Sequence, residues 1–197
     1  GTADMSISGH DRVSPISIQD YLDSEATSRR KHEYVDGQIY AMVGGRYNHN
    51  LVASNVLIEI GSQLRQTPCR ALNSDSKVRV QNNFYYPDVS VVCGDNIRDD
   101  VYQEKPTLVV EVLSQGTRRI DEGEKLQAYQ KIETLATYIL LEQDFAAATV
   151  YHRTREGFTR KVYAGMDAVI PLAEIGTQLS LQAAYANVTF QPEPEPE

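Results

Sequence analysis

Between Tyr47 and Gln66 the apolar positions Val52, Val56, Leu57, Ile60 and Leu64 recur at the spacing of one helix face, and the run stops near Thr67-Pro68. This is the longest helix the chain predicts. Upstream, "SIQDYLDSEAT" reads as a short helix capped by Ser17, and "HEYVDGQIYAM" as two strands turning at Asp36-Gly37, a strong hairpin signal. Downstream, strand-like runs cover Cys69 to Asn73, Lys77 to Gln81, Pro87 to Cys93 and Thr107 to Leu113, and a helix is predicted from about Asp121 to Ile132. "ATYILLEQD", "AATVYHRT" and "GFTRKVYA" supply the remaining strands, and "LSLQAAYA" a closing helical turn. Strands and helices in this order predict one sheet together with helices, preceded by a helix and hairpin.

Two carboxylates interrupt this pattern. Asp88 follows Pro87 where apolar alternation begins, and Glu111 breaks the buried-looking run "PTLVVEVL". Side chains alternate along a strand, so Asp88, Ser90 and Val92 share one face, and Val109, Glu111 and Leu113 share another. If these strands pair, the carboxylates converge, and oxygen-only ligands in a partly dry site favour a hard divalent ion such as Mg²⁺. Taken singly, each residue has a plainer reading: Asp88 caps a turn after Pro87, and Glu111 pairs with a nearby arginine.

The chain has 197 residues, 41% hydrophobic and 23% charged, enough for one substantial core. Residues 1–14 are polar and unpatterned, and 191–197, "QPEPEPE", form an acidic, proline-rich tail; both are expected to be mobile, leaving a single domain over 15–190. No apolar run is long enough to span a membrane, and Gly1 reads as a processing remnant, so a cytoplasmic protein is expected. Cys69 and Cys93 lack metal-ligand spacing and are read as buried free thiols. A net charge of −8 argues against indiscriminate nucleic-acid binding but leaves room for a local basic groove, with clusters at Arg29 to Lys31, Lys77 to Arg79, Arg118-Arg119 and Arg153 to Lys161.

On the predicted helix after Glu111, Leu126, Ala128, Tyr129 and Ile132 form an apolar stripe with Lys125 near its centre and Asp121 toward one edge. A lysine there needs an anion, unless its stem reaches past the core to solvent. The same projection sets His49 among Val52, Ala53, Val56 and Ile60, where it is either a satisfied core histidine or a group at the rim of the carboxylate site.

Pro87-Asp88 followed by Glu111-Val112-Leu113 resembles the PD-(D/E)XK nuclease signature. The blocks "EYVDGQIY", "YYPDVSVVC", "LVVEVLS" and "DEGEKLQAY", in this order, resemble the Uma family of restriction-endonuclease-like proteins, over roughly Ile16 to Tyr185. The resemblance implies a restriction-endonuclease-like α/β core, a mixed central sheet flanked by helices with an N-terminal helix and hairpin, in which Asp88, Glu111 and the Val112 carbonyl hold Mg²⁺, with Mn²⁺ as a substitute. Leu113 stands where the signature has its lysine, and Lys125 is the implied replacement; Glu33 is a further acid near the metal, and His49 a secondary site residue.

The implied function is Mg²⁺-dependent endonucleolytic hydrolysis of DNA, with Arg118 and Arg119 contacting the backbone and a homodimer cutting both strands. The alternatives are a catalytically inactive nuclease-like scaffold or nucleic-acid-binding domain, which Leu113 and the acidic charge permit, and a metal-free hydrolase using Asp88 and Glu111 as an acid/base pair.

Overall fold

The computed structural model describes residues 14–192 and 195–196. The N-terminal segment expected over 1–14 lies outside the described residues save for its last position, as do 193, 194 and 197 of the acidic tail.

The chain begins with helix α1 (Ile18–Thr27), the hairpin β1 (His32–Val35) and β2 (Gln38–Ala41), and the long helix α2 (Tyr47–Gln63). Six strands follow: β3 (Cys69–Leu72), β4 (Lys77–Val80), β5 (Asn83–Tyr85), β6 (Val89–Cys93), β7 (Tyr102–Gln103) and β8 (Leu108–Leu113). After helices α3 (Arg118–Glu122) and α4 (Glu124–Gln130) come β9 (Thr137–Glu142), β10 (Ala147–Thr154), β11 (Gly157–Ala164), β12 (Val169–Leu172), β13 (Thr177–Ser180) and α5 (Leu181–Ala184). They form a mixed six-stranded sheet ordered β11-β10-β9-β8-β6-β3, a five-stranded sheet ordered β2-β1-β5-β4-β7, and a separate β12-β13 pair. The strands therefore divide between two main sheets, where the hydrophobic pattern suggested one.

Local chemistry explains the first elements. The Ser17 hydroxyl accepts the Asp20 N–H at 3.1 Å and caps α1, whose Tyr21 packs fully buried with Tyr34, Phe84 and Tyr102. Asp36 (φ 51°) and Gly37 (φ 78°) both take left-handed conformations, as a tight two-residue hairpin turn requires. A Cβ on Gly37 would stand 2.9 Å from Pro15 Cβ, so glycine also admits the chain entering α1.

Helix α2 lays Val52, Val56 and Ile60 against Val89, Val91, Val110 and Val112 of β6 and β8. Each of these three side chains is completely buried, worth about 1.5–3 kcal/mol apiece relative to exposure. The opposite face of the six-stranded sheet carries Val109, Leu113, Tyr138 and Leu140, packed with Tyr129 of α4 and with Val78, Val80 and Tyr85 of the smaller sheet.

Two expectations need correction. The helix predicted from Asp121 to Ile132 starts earlier, at Arg118, and breaks at Gly123, whose φ of −111° and ψ of −89° are not helical. A Cβ at Gly123 would lie 2.9 Å from the Arg119 carbonyl oxygen, so only glycine permits the close turn. Cys69 and Cys93 are not free thiols. They face each other across the β3–β6 ladder, Cα atoms 3.9 Å apart, and are joined as a disulfide. They stand 24 positions apart along the chain, and only the strand register brings them together.

Candidate active site

The antiparallel β6–β8 register pairs Val89 with Val110 and Ser90 with Val109. Carried back one residue, it sets Asp88 opposite Glu111 at the end of the ladder. Pro87 has no N–H to extend pairing on its side, so the carboxylate stands where the strand begins. The Val112 N–H donates to Asp88 Oδ2 at 2.7 Å, and His49 Nε2, from the first turns of α2, lies 3.3 Å from the same oxygen. Burial pulls the Asp88 carboxyl upward, but the His49 hydrogen bond and charge, the Val112 N–H and Glu111 together outweigh it and hold the group below the usual carboxylate range. Reciprocally, the hydrogen bond to Asp88 raises His49 despite its partial burial.

Lys125 is buried, its side chain only 7% exposed, because α4 turns it inward beneath the sheet. Its ammonium lies 3.3 Å from Glu33 Oε2, 3.5 Å from Glu111 Oε1 and 3.5 Å from Asp121 Oδ1. Burial disfavours the charge, but Glu111, Glu33 and Asp121 more than offset it, and Lys125 stays protonated well above the ordinary range for lysine. The Tyr86 N–H anchors Glu33 Oε2 at 2.8 Å, fixing one wall of this cage. Burial pushes Asp121 up to about 6, with Lys125 opposing. Glu111 is also buried: desolvation, reinforced by Asp88, Asp121 and Glu33 and only partly countered by Lys125, holds it well above the usual carboxylate range.

The structure thus brings Asp88, Glu111, Lys125, Glu33 and His49 into one cluster. His49 is not enclosed by the core; it contacts Asp88 at the rim. Asp121 joins them, a residue that sequence reasoning placed only at the edge of the stripe; its signal is the i,i+4 spacing to Lys125, which a helix break at Gly123 leaves intact. Leu113, at the lysine position of the signature, is 1% exposed and packs in the core with Tyr129 and Tyr138. Lys77 lies elsewhere, its Nζ 3.3 Å from the Tyr86 hydroxyl. Among the described residues the ion pairs of Arg118 run to Glu122 at 2.8 Å and to Glu142, not to the cluster, whereas Arg119 is exposed. Two grooves of about 520 and 500 Å³ flank β3 and α2, and none of the cluster residues lines them.

The donor set suits a hard divalent cation. Glu111 Oε1 is buried without a hydrogen-bond partner, 3.5 Å from the Lys125 ammonium, and all the acidic donors are oxygens. No group of three or more His, Cys, Asp or Glu among the described residues is already gathered to hold a metal ion. Asp88 and Glu111 therefore fit as a pair of ligands that needs other oxygens to complete it, such as main-chain carbonyl or water. No helix of the described residues is long and apolar enough to cross a membrane.

Comparison with known proteins assigns the chain to a family and a fold. The sequence profile of the Uma2 family, described as "Putative restriction endonuclease", matches residues 18–184 and so contains every member of the cluster. Uncharacterised protein slr1290 of Synechocystis sp. is 33% identical over 178 residues, 89% of this chain and 94% of its own length. A second uncharacterised Synechocystis protein, sll1609, is 26% identical over 133 residues, 65% of this chain and 75% of its own. The crystal structure of a "putative nuclease belonging to DUF820" from Anabaena variabilis superposes with a TM-score of 0.72 at 19% identity, covering 87% of this chain and 98% of that one. The fold is restriction-endonuclease-like.

Proposed function

The chain belongs to the Uma2 family, and from that premise we propose that it is a Mg²⁺-dependent endonuclease hydrolysing phosphodiester bonds of DNA. The observation that carries this reading is the buried ammonium of Lys125, 3.5 Å from Glu111, in a cluster where β6 sets Asp88 opposite Glu111 and Leu113 has turned into the core. A lysine delivered by α4 supplies the charge that the strand lacks.

Asp88, Glu111 and the Val112 carbonyl are the proposed ligands for Mg²⁺, with Mn²⁺ as a substitute. A divalent ion there supplies polarisation of a phosphoryl oxygen and a lowered pKa for water. The chain's own residues do the rest. Lys125 offsets negative charge developing on the phosphate, in a site dry enough to strengthen that interaction. Glu33 and Asp121, at 3.3 and 3.5 Å, hold its ammonium in place. His49 and the Val112 N–H fix the Asp88 carboxylate from two sides. Arg119 is free to meet the DNA backbone, and Arg118 can do so only by sharing its charge with Glu122 and Glu142. A closed two-fold dimer would present two such sites, and light scattering at micromolar concentration reads that directly.

The test is incubation with single-stranded and duplex DNA in Mg²⁺, Mn²⁺ or EDTA. Cleavage is expected with either cation and none with EDTA, and Asp88→Asn and Glu111→Gln should each abolish it while circular dichroism stays native. DNA bound but never cut by the wild-type protein would point to the inactive-scaffold alternative; cleavage surviving in EDTA would point to metal-free acid/base hydrolysis.

A further inference from the structure

One carboxylate outside the cluster grips both of the segments that deliver acids to it. Glu25 lies near the end of α1, its side chain only 4% exposed. Its Oε1 accepts the His32 backbone N–H at 2.9 Å and the Tyr86 hydroxyl at 3.1 Å, and its Oε2 lies 3.1 Å from His32 Nδ1. His32 immediately precedes Glu33 at the start of β1. Tyr86 opens the stretch Tyr86-Pro87-Asp88, which runs from β5 in the five-stranded sheet to β6 in the six-stranded sheet and belongs to neither strand.

A crossing outside the ladders is held by the bonds its own groups make. At the far end His49 and the Val112 N–H fix Asp88. At the near end Pro87 has no N–H to contribute, and the Tyr86 N–H is engaged with Glu33 Oε2 at 2.8 Å. The buried Tyr86 side chain supplies the remaining hold: its hydroxyl accepts from the Lys77 ammonium at 3.3 Å and donates to Glu25. That direction is fixed, because an ammonium only donates and a carboxylate only accepts. Helix α1 is a firm base for such a grip. Its Tyr21 is fully buried among Tyr34, Phe84 and Tyr102, and the Tyr21 hydroxyl donates to the His32 carbonyl at 2.6 Å.

We propose that Glu25 is a positioning residue for the cation site: through His32 and Tyr86 it sets where Glu33, and with it the Lys125 ammonium, stands relative to Asp88. It touches neither the ion nor the DNA. The proposal rests on the nuclease reading for the presence of a cation, and goes further in assigning a role to a residue of α1.

The experiment is calorimetric titration of the metal-free protein with Mn²⁺ alone, beside melting curves and DNA cleavage. Glu25→Ala should weaken Mn²⁺ binding roughly tenfold, the loss expected when a group that orients metal ligands is removed. Tyr86→Phe, which deletes one bond of the grip and keeps every charge, should weaken it in the same direction, and decides the matter if Glu25→Ala does not fold. Glu25→Gln should bind close to wild type, because its amide oxygen still accepts from the His32 N–H and the Tyr86 hydroxyl. Alanine and phenylalanine variants that melt earlier yet bind Mn²⁺ like wild type would overturn the proposal by showing a merely structural grip. Glu25→Gln binding as weakly as Glu25→Ala would overturn it by showing that charge, and not geometry, matters. Crystals of metal-free Glu25→Ala read the geometry without any ion: the bond from the Tyr86 N–H to Glu33 should lengthen or break, and its persistence at 2.8 Å would count against the proposal even if wild type bound no Mn²⁺. Wild type that binds Mn²⁺ but cuts no DNA would sink the nuclease reading and leave the positioning role standing. Wild type that cuts DNA, with all three variants equal to it in Mn²⁺ affinity, would do the reverse.

Discussion

Replacing Asp121 by asparagine should make the metal-free protein more stable at neutral pH, although it removes an ion pair with Lys125. Asp121 is 2% exposed, and burial raises its carboxyl from the ordinary 3.8 to about 6. A raised acid binds its proton more tightly when folded. Its contribution is therefore full below the unfolded value near 3.8 and is lost as pH rises through about 6. The full gap corresponds to about 3 kcal/mol of stability, of which the wild-type protein loses about 2.4 kcal/mol between pH 4 and pH 7. Asparagine does not titrate and lacks that loss; groups away from Asp121 cancel between the two proteins, and Glu111, which the Asp121 charge pushes up, is relieved in the same direction. Denaturant unfolding of the two proteins at both pH values, in EDTA, gives the double difference directly. It should favour the variant by about 2.4 kcal/mol at pH 7 relative to pH 4, or roughly 5–10 °C in melting temperature for a chain of this size. Parallel stability curves would refute the argument. A variant that loses ground as pH rises would show that the Asp121–Lys125 attraction, at 3.5 Å, outweighs the cost of burying the charge.

Lys125→Met keeps the stem but removes the ammonium; it should lower cleavage at least about a hundredfold and destabilise the fold by about 3–5 kcal/mol at neutral pH by leaving buried acids uncompensated, as kinetics and unfolding measured side by side would report. Gly45→Ala should push a methyl group to 2.4 Å from His49 Nδ1 and displace the ring from Asp88, so turnover should fall while the melting temperature of this exposed loop variant barely moves. Cys69→Ser with Cys93→Ser opens a loop spanning 24 residues and should cost about 3.5 kcal/mol in unfolding experiments, without changing cleavage per folded molecule.

What was legible in the sequence is what short-range pattern encodes. The Asp36-Gly37 turn, the Ser17 cap and the α2 stripe each follow from residues within a few positions of one another, and the structure contains all three. Alternation also placed Asp88 and Glu111 on faces that can meet, and helical projection aimed Lys125 inward, where it is 5% exposed. Register and long-range partners were not legible. The Cys69–Cys93 bond depends on how β3 slides against β6. Arg118 finds Glu142 at the end of β9, 24 residues away. Asp121 reaches Lys125 through i,i+4 spacing, but the acids that surround the pair, Glu33 and Glu111, come from distant strands. The split into two sheets turns on β5 and β7, three and two residues long, too short for alternation to register.

The central claim is that Asp88 and Glu111 are a cation site. Anomalous diffraction from crystals soaked in Mn²⁺ tests it most directly. The account predicts a peak within about 2–2.5 Å of a carboxylate oxygen of each residue, absent in Glu111→Gln. A saturating soak that leaves no peak between the two carboxylates, or puts the ion at another set of acids while Lys125 still faces Glu111 across 3.5 Å, would contradict it.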